Sequence, residues 1–86
     1  MRHTVTWTAE ASDQLTGIWL AAAAPIDVTD AADRLDQILR NDPDRAGEDL
    51  EFCRTMVIEP LEFAFVISPQ DRLVRVISVT LFGAFD

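Results

Sequence analysis

The sequence predicts an α+β fold in which two N-terminal helices pack on one face of a small, mainly antiparallel sheet. Two observations carry this prediction: the element order β-α-α-β-β-β, and a C-terminal third with two apolar runs, 61–67 and 72–79, around a polar turn. The chain has 86 residues and a hydrophobic fraction of 49%. Residues 1–86 are therefore expected to form one domain.

Alternation and then helical spacing define the first strand and helix. Val5 and Trp7 alternate with threonines, which predicts a strand over 3–7. Thr8 is a suitable N-cap for the helix that follows. Apolar residues then recur at helical spacing: Ala11, Leu15, Ile18, Trp19 and Ala22. Trp7 and Trp19 are expected in the core.

A second helix follows a proline. Pro25 either ends the first helix or begins the second, and Asp27 or Thr29 is the expected cap. The apolar stripe of this helix is Val28, Ala32, Leu35 and Leu39. The segment 41–44 contains a proline and ends the helix. The polar stretch 45–51 is predicted to be a loop, and 52–58 is predicted to be the next strand.

The closing strands are apolar on both faces. In the run 61–67, Phe63 and Phe65 share one face, while Val66 makes the other face apolar. In the last strand, Leu73, Ile77 and Val79 are expected opposite Val74 and Val76. Strands of this kind are usually covered on both sides. The sheet face away from the helices therefore needs the C-terminal tail, a second copy of the chain or a different chain.

Charge limits the function. The net charge is −8, and all seven basic residues are arginine, which argues against unaided nucleic-acid binding and against an anionic membrane surface. The acid either keeps the protein soluble or faces a basic partner segment. Acidic residues recur at i, i+3 steps over 27–36, and a solvated helix face explains them better than a metal site. We expect no metal and no cofactor.

Cysteine content and the N-terminus indicate the compartment. The single cysteine, Cys53, excludes an intrachain disulfide and fits a reducing cytoplasm. No N-terminal signal is visible, and the apolar stretch 18–24 is too short to cross a bilayer. These features predict a cytoplasmic protein that does not associate with a membrane.

The C-terminal tail, 80–86, is unusually apolar. It either extends the last strand over the sheet or provides a docking surface for a partner. The candidate partner-binding residues are Leu81, Phe82, Phe85, Val74 and Val76.

Several segments together resemble the RelE/ParE toxin superfamily. The opening 5–11 resembles the strand of these toxins that ends in an aromatic residue and leads into an acidic, Ala-rich helix start. The segment 38–43 resembles the end of their second helix, and 54–67 and 71–77 resemble their later strands. The similarity covers 5–79. It implies a toxin of a type II toxin–antitoxin, or plasmid stabilisation, system that a separately encoded antitoxin neutralises.

The resemblance implies two activities. RelE-like members cleave messenger RNA on the ribosome, whereas ParE-like members inhibit DNA gyrase. RNA cleavage needs cations and an acid or base at the phosphate, but this chain lacks lysine and tyrosine, and Glu62 lies near a position where many members carry arginine. Arg54, Arg72 and Arg75 are the weak catalytic candidates. An arginine at the sheet edge, paired with Glu62 or another acid, is the favoured interpretation of Arg54.

Three hypotheses follow. The first is a toxin-like component that acts by binding protein, namely its antitoxin and, when free, a target such as gyrase. The second is a ribosome-dependent mRNA endoribonuclease that uses the three arginines. The third is a degenerate, non-toxic interaction module that keeps the fold and a homodimer interface. The residues favour the first hypothesis, so an enzyme is the less favoured assignment.

Overall fold

A computed structural model describes residues 2–82. Its elements, in chain order, are β1 (Thr4–Trp7), α1 (Ala9–Ala21), α2 (Pro25–Asn41), a 3-10 turn (Pro43–Arg45), β2 (Glu48–Asp49), β3 (Arg54–Ile58), β4 (Leu61–Ser68) and β5 (Leu73–Leu81). The strands form one five-stranded sheet in the order β1-β5-β4-β3-β2. β1 pairs in parallel with β5, and the other neighbours are antiparallel. The predicted α+β fold is confirmed, with β2 as an additional short strand.

The helix boundaries follow from their first residues. The Thr8 hydroxyl accepts a hydrogen bond from the Ala11 backbone N–H at 3.1 Å, so the predicted cap of α1 is confirmed. α2 begins at Pro25, where a missing N–H costs nothing in the first helical turn. The expectation that Asp27 or Thr29 caps α2 was wrong, because the N-cap is Ala24 and makes no side-chain hydrogen bond.

The core lies between the helices and one face of the sheet. Phe63 and Phe65 of β4 are fully buried, and Trp7 meets Phe63 edge-on with ring centroids 6.1 Å apart. α2 buries one stripe: Val28, Ala31, Leu35 and Leu39. Trp19, expected in the core, is 45% exposed at the end of α1. Helical spacing places Trp19 beside the apolar stripe of α1. It does not indicate whether another element covers that end of the helix.

A bulge in β5 reverses its alternation. Phe65 is opposite Val76 while Ala64 is opposite Ser78, so Ile77 has no partner in β4. Before the bulge, Val76 faces the helices; after it, Val79 does, and it is fully buried opposite Phe63. The prediction that Val79 shares a face with Leu73 was therefore wrong. The alternation pattern alone assumed an unbroken period of two.

The edge of β5 beyond the bulge is paired by a side chain. β1 ends at Trp7, opposite Val76, so within residues 2–82 no strand continues β1 alongside the last part of β5. There the Val79 backbone N–H donates to Gln14 Oε1 of α1 at 2.8 Å. This hydrogen bond satisfies a part-buried donor and ties the first helix to the sheet.

The predicted loop 45–51 contains β2, and the strand predicted from Phe52 begins only at Arg54. Gly47 permits this hairpin. Its φ is +66°, and a Cβ built there would lie 2.0 Å from the Thr55 carbonyl oxygen. β2 reaches β3 only because residue 47 has no side chain.

We predict that Gly47→Ala destabilises the protein by roughly 2 kcal/mol or more, because left-handed strain of about 1–2 kcal/mol adds to the clash. Gly17→Ala is the matched control. Residue 17 lies within α1, where an added Cβ meets nothing within 4 Å, so it should stabilise by about 0.5–1 kcal/mol. Urea unfolding measures both free energies, and equal effects would contradict the hairpin geometry.

We predict that Gln14→Met destabilises the protein by about 1–2 kcal/mol, because the Val79 N–H loses its acceptor in a part-buried position. Gln37→Met, on the exposed side of α2, should change stability by less than about 0.5 kcal/mol. Hydrogen exchange at the Val79 amide provides a local check. An amide as protected in Gln14→Met as in the wild type would show that this contact is dispensable.

Candidate functional site

The sheet face away from the helices, here called the open face, carries hydroxyl groups and few charges. Residues paired across antiparallel strands share a face, so the register assigns its central members: Thr55, Val57, Glu62, Ala64, Val66, Arg75, Ser78 and Thr80. The face is mixed, rather than apolar throughout as the sequence suggested. A shallow hollow of about 120 Å³ near its centre has Glu62 as its one ionisable lining residue.

Glu62 lies on the open face at the second residue of β4, the middle strand of the sheet, close to the β3–β4 turn. It lies opposite Val57 on one side and Thr80 on the other. A carboxylate opposes an incoming phosphate, and the neighbouring hydroxyls of Thr55 and Ser78 bring no positive charge. The part of the open face around Glu62 is therefore unsuited to stabilising a phosphorane-like transition state.

The Arg54 side chain is held by the backbone of the segment between α2 and β2. Its Nε donates to the Ala46 carbonyl at 3.1 Å and its Nη2 donates to the Asp44 carbonyl at 2.9 Å. The carboxylate of Asp49 lies 3.7 Å from Nη1, and the Arg54 side chain is only 20% exposed. The predicted pairing of Arg54 with an acid is confirmed, and the acid is Asp49. Two guanidinium N–H groups thus bind backbone carbonyls of the local fold, and Nη1 faces Asp49.

Arg72 and Arg75, the other two catalytic candidates, do not line the concavity that Arg54 lines. Arg72 is in the turn between β4 and β5 with a φ of +50°, and its carbonyl accepts from the Thr4 N–H at 2.9 Å. Arg75 is exposed on the open face, where it borders a concavity shared with Ser68 and Asp71. Arg54 lines a different concavity. The three catalytic candidates are therefore not brought together around one pocket among those described for residues 2–82.

The candidate partner-binding residues divide into three groups. Val74 and Val76 are fully buried beneath the helices, so their assignment to a partner surface is corrected: the pleat points both into the core. Leu81 and Phe82 are 46% and 48% exposed. The Phe82 N–H donates to the Pro60 carbonyl at 2.9 Å, which places this apolar end beside the β3–β4 turn. Phe85 lies outside the described residues.

Exposed apolar side chains also occur at positions that the sequence patterns did not indicate. α1 and α2 leave a groove of about 260 Å³ between them, lined by Leu15, Trp19 and Val28 among others. Trp19 Nε1 donates to the Thr29 hydroxyl across this groove at 3.2 Å. Phe52, predicted to be in a strand, is 85% exposed in the loop after β2. Periodicity could not reveal either feature, because both depend on what lies outside the helical hairpin and the sheet.

Within residues 2–82, no group of three or more His, Cys, Asp or Glu side chains is arranged to hold a metal ion. Over the same part of the chain, no helix combines the length and the apolar composition needed to cross a bilayer.

Solved structures share this fold, although no protein-family model and no curated protein matches the sequence. The toxin–antitoxin complex RelBE2 from Mycobacterium tuberculosis contains a chain that superposes with a TM-score of 0.79 at 16% identity, covering 94% of this chain and 92% of that chain. The chromosomal ParDE system from P. aeruginosa gives 0.68 at 19% identity, with 93% and 96% covered.

The intact RelBE toxin–antitoxin complex from E. coli also matches, with a TM-score of 0.62 at 12% identity over 92% of this chain and 95% of that chain. The architecture described above is therefore the fold shared by chains of these RelBE and ParDE toxin–antitoxin complexes, which agrees with the fold that the sequence resemblance implied. At these identities the likeness establishes the fold, and function must be argued from the surface.

We predict that Arg54→Met lowers the free energy of unfolding by about 1–3 kcal/mol, because it removes hydrogen bonds from a charged, largely buried donor. Arg45→Met is the control. The Arg45 side chain is 88% exposed and lies 3.7 Å from its acid, so its loss should cost less than about 0.5 kcal/mol. A fully stable Arg54→Met protein would contradict the structural role assigned to this arginine.

Proposed function

We propose that this chain is the toxin component of a cytoplasmic type II toxin–antitoxin, or plasmid stabilisation, system. The observation that carries the proposal is the similarity of the whole fold to chains of RelBE and ParDE toxin–antitoxin assemblies, with more than nine-tenths of both chains covered. We propose that residues 1–86 form one domain. The resting partner is an antitoxin encoded separately.

We further propose that the free chain acts by binding a protein target, such as DNA gyrase, rather than by cutting RNA. The carboxylate of Glu62 on the open face and the structural use of Arg54 both argue against phosphodiester chemistry. A net charge of −8 adds a repulsive field for any nucleic acid. Protein surfaces tolerate such charge when the partner is basic.

The exposed end of β5 supports a protein interface. Leu81 and Phe82 lie at the C-terminal end of β5, beside Pro60, and are about half exposed. Apolar side chains grouped at the rim of a small domain are typical of an interaction surface.

We predict that expression of this chain alone stops bacterial growth and that co-expression of the product of the adjacent reading frame restores it. Primer extension on translated messages should show no new 5′ ends, whereas gyrase supercoiling should be inhibited by the purified chain. The control is Leu35→Asp, which places a charge in the fully buried core and should abolish toxicity by unfolding the chain.

The other outcomes identify the alternatives. New 5′ ends in translated messages would indicate the RelE-type endoribonuclease. Normal growth with a folded chain would indicate the non-toxic interaction module. Growth arrest with neither cleavage nor loss of supercoiling would retain a protein-binding toxin but exclude gyrase as the target.

A further inference from the structure

The hairpin between β2 and β3 presents an aromatic residue to solvent. The Leu50 N–H donates to the Cys53 carbonyl at 2.8 Å, which makes Glu51 and Phe52 the tip of the hairpin. Tips of this kind favour Gly, Asn and Asp, whose side chains suit tight turns and water. Phe52 is instead 85% exposed, the largest exposed fraction among the large apolar residues described. Local rules broken in this way are concentrated at functional positions.

Phe52 borders a hollow that is lined by both apolar and charged residues. A concavity of about 320 Å³ lies between the hairpin tip and the end of β4, and we call it the Phe52 hollow. Leu50 and Phe52 form one wall, while Val66, Ile67 and Pro69 of the β4 end form the opposite one. Leu50 is itself 46% exposed. The hollow can accept one aliphatic or aromatic side chain and remove both walls from water.

The rim of the Phe52 hollow is acidic. Asp44, Asp49 and Glu51 line it together with a single cation, Arg54. Arg54 directs two of its donors to backbone carbonyls and lies 3.7 Å from Asp49. Neither Asp44 nor Glu51 has an ion-pair partner within 4 Å in the part of the chain that the structure describes. Two carboxylates thus remain available to an incoming positive charge.

We propose that the Phe52 hollow binds a segment of the antitoxin in which an arginine or lysine lies next to an aliphatic or aromatic side chain. The apolar side chain enters the hollow, and the cation pairs with Glu51 and Asp44 at the rim. Charge complementarity selects this occupant over a second copy of the chain, because two acidic rims repel one another. This inference rests on the proposed toxin–antitoxin function.

The experiment measures binding of the purified product of the adjacent reading frame to wild-type and variant chains. Phe52→Ser should weaken the Kd roughly tenfold or more, as expected for an aromatic anchor in a pocket. Leu20→Ser is the matched control, since Leu20 is 72% exposed on α1, away from the hollow. Its Kd should stay within about twofold of wild type. Thermal unfolding of both variants verifies that each remains folded.

A second variant tests the cation. Asp44→Asn combined with Glu51→Gln should weaken binding and flatten the dependence of Kd on salt concentration, because the screened ion pairs are gone. A Kd for Phe52→Ser equal to that of wild type would overturn the inference and leave the proposed function intact. Wild-type chain that does not bind the product at all would instead overturn the proposed function.

Self-association is the competing occupant. Sedimentation of the chain alone reports whether Phe52→Ser changes its oligomeric state. If Phe52→Ser converts a dimer to a monomer and leaves antitoxin affinity unchanged, then the hollow holds a second copy and the proposal is wrong. A monomeric wild-type chain with Phe52-dependent antitoxin binding supports it.

Discussion

The bulge at Ile77 in β5 is the constraint on which the sheet depends. β5 lies between β1 and β4, and its two halves bury residues of opposite parity, with Val76 before Ile77 and Val79 after it. Without the bulge, one half of the strand would turn its apolar side chains to solvent. The bulge lies where β1 stops and Gln14 takes over the edge. The bulge therefore lies where β5 changes from pairing with β1 to contacting α1, while β5 remains paired with β4 on its other side.

The face to which each residue of β5 points also determines the chemistry of the open face. Val74 and Val76 point inward, so the outward positions of β5 are Arg75 before the bulge and then Ser78 and Thr80. The outward positions of β4 include Glu62 at the level of Thr80. The face thus has hydroxyls around a carboxylate, with its cation further along the strand. The burial of Val74 and Val76 in the core and the outward position of Ser78 and Thr80 are consequences of the same pleat and bulge.

The sequence predicts most elements of this fold, because α1, β1 and β4 each follow one uninterrupted period and local caps such as Thr8 mark their ends. It fails where the deciding contact is distant. β2 exists because Gly47 lies against Thr55, and nothing in the residues 45–51 themselves indicates that approach. Arg54 was placed correctly beside an acid, yet its main partners are backbone carbonyls, which carry no sequence signal.

The same distinction explains how identities of 12–19% coexist with TM-scores of 0.62–0.79. A core needs apolar volume at fixed periods, and many residue combinations supply it. Surface chemistry is not constrained in this way, so the positions that separate a nuclease from a protein-binding toxin can change while the fold persists. Here the acid of Glu62 and the aromatic tip at Phe52 lie on that unconstrained surface. Neither helps to close the core, so a partner is the simplest physical reason for keeping an exposed phenyl ring at a turn.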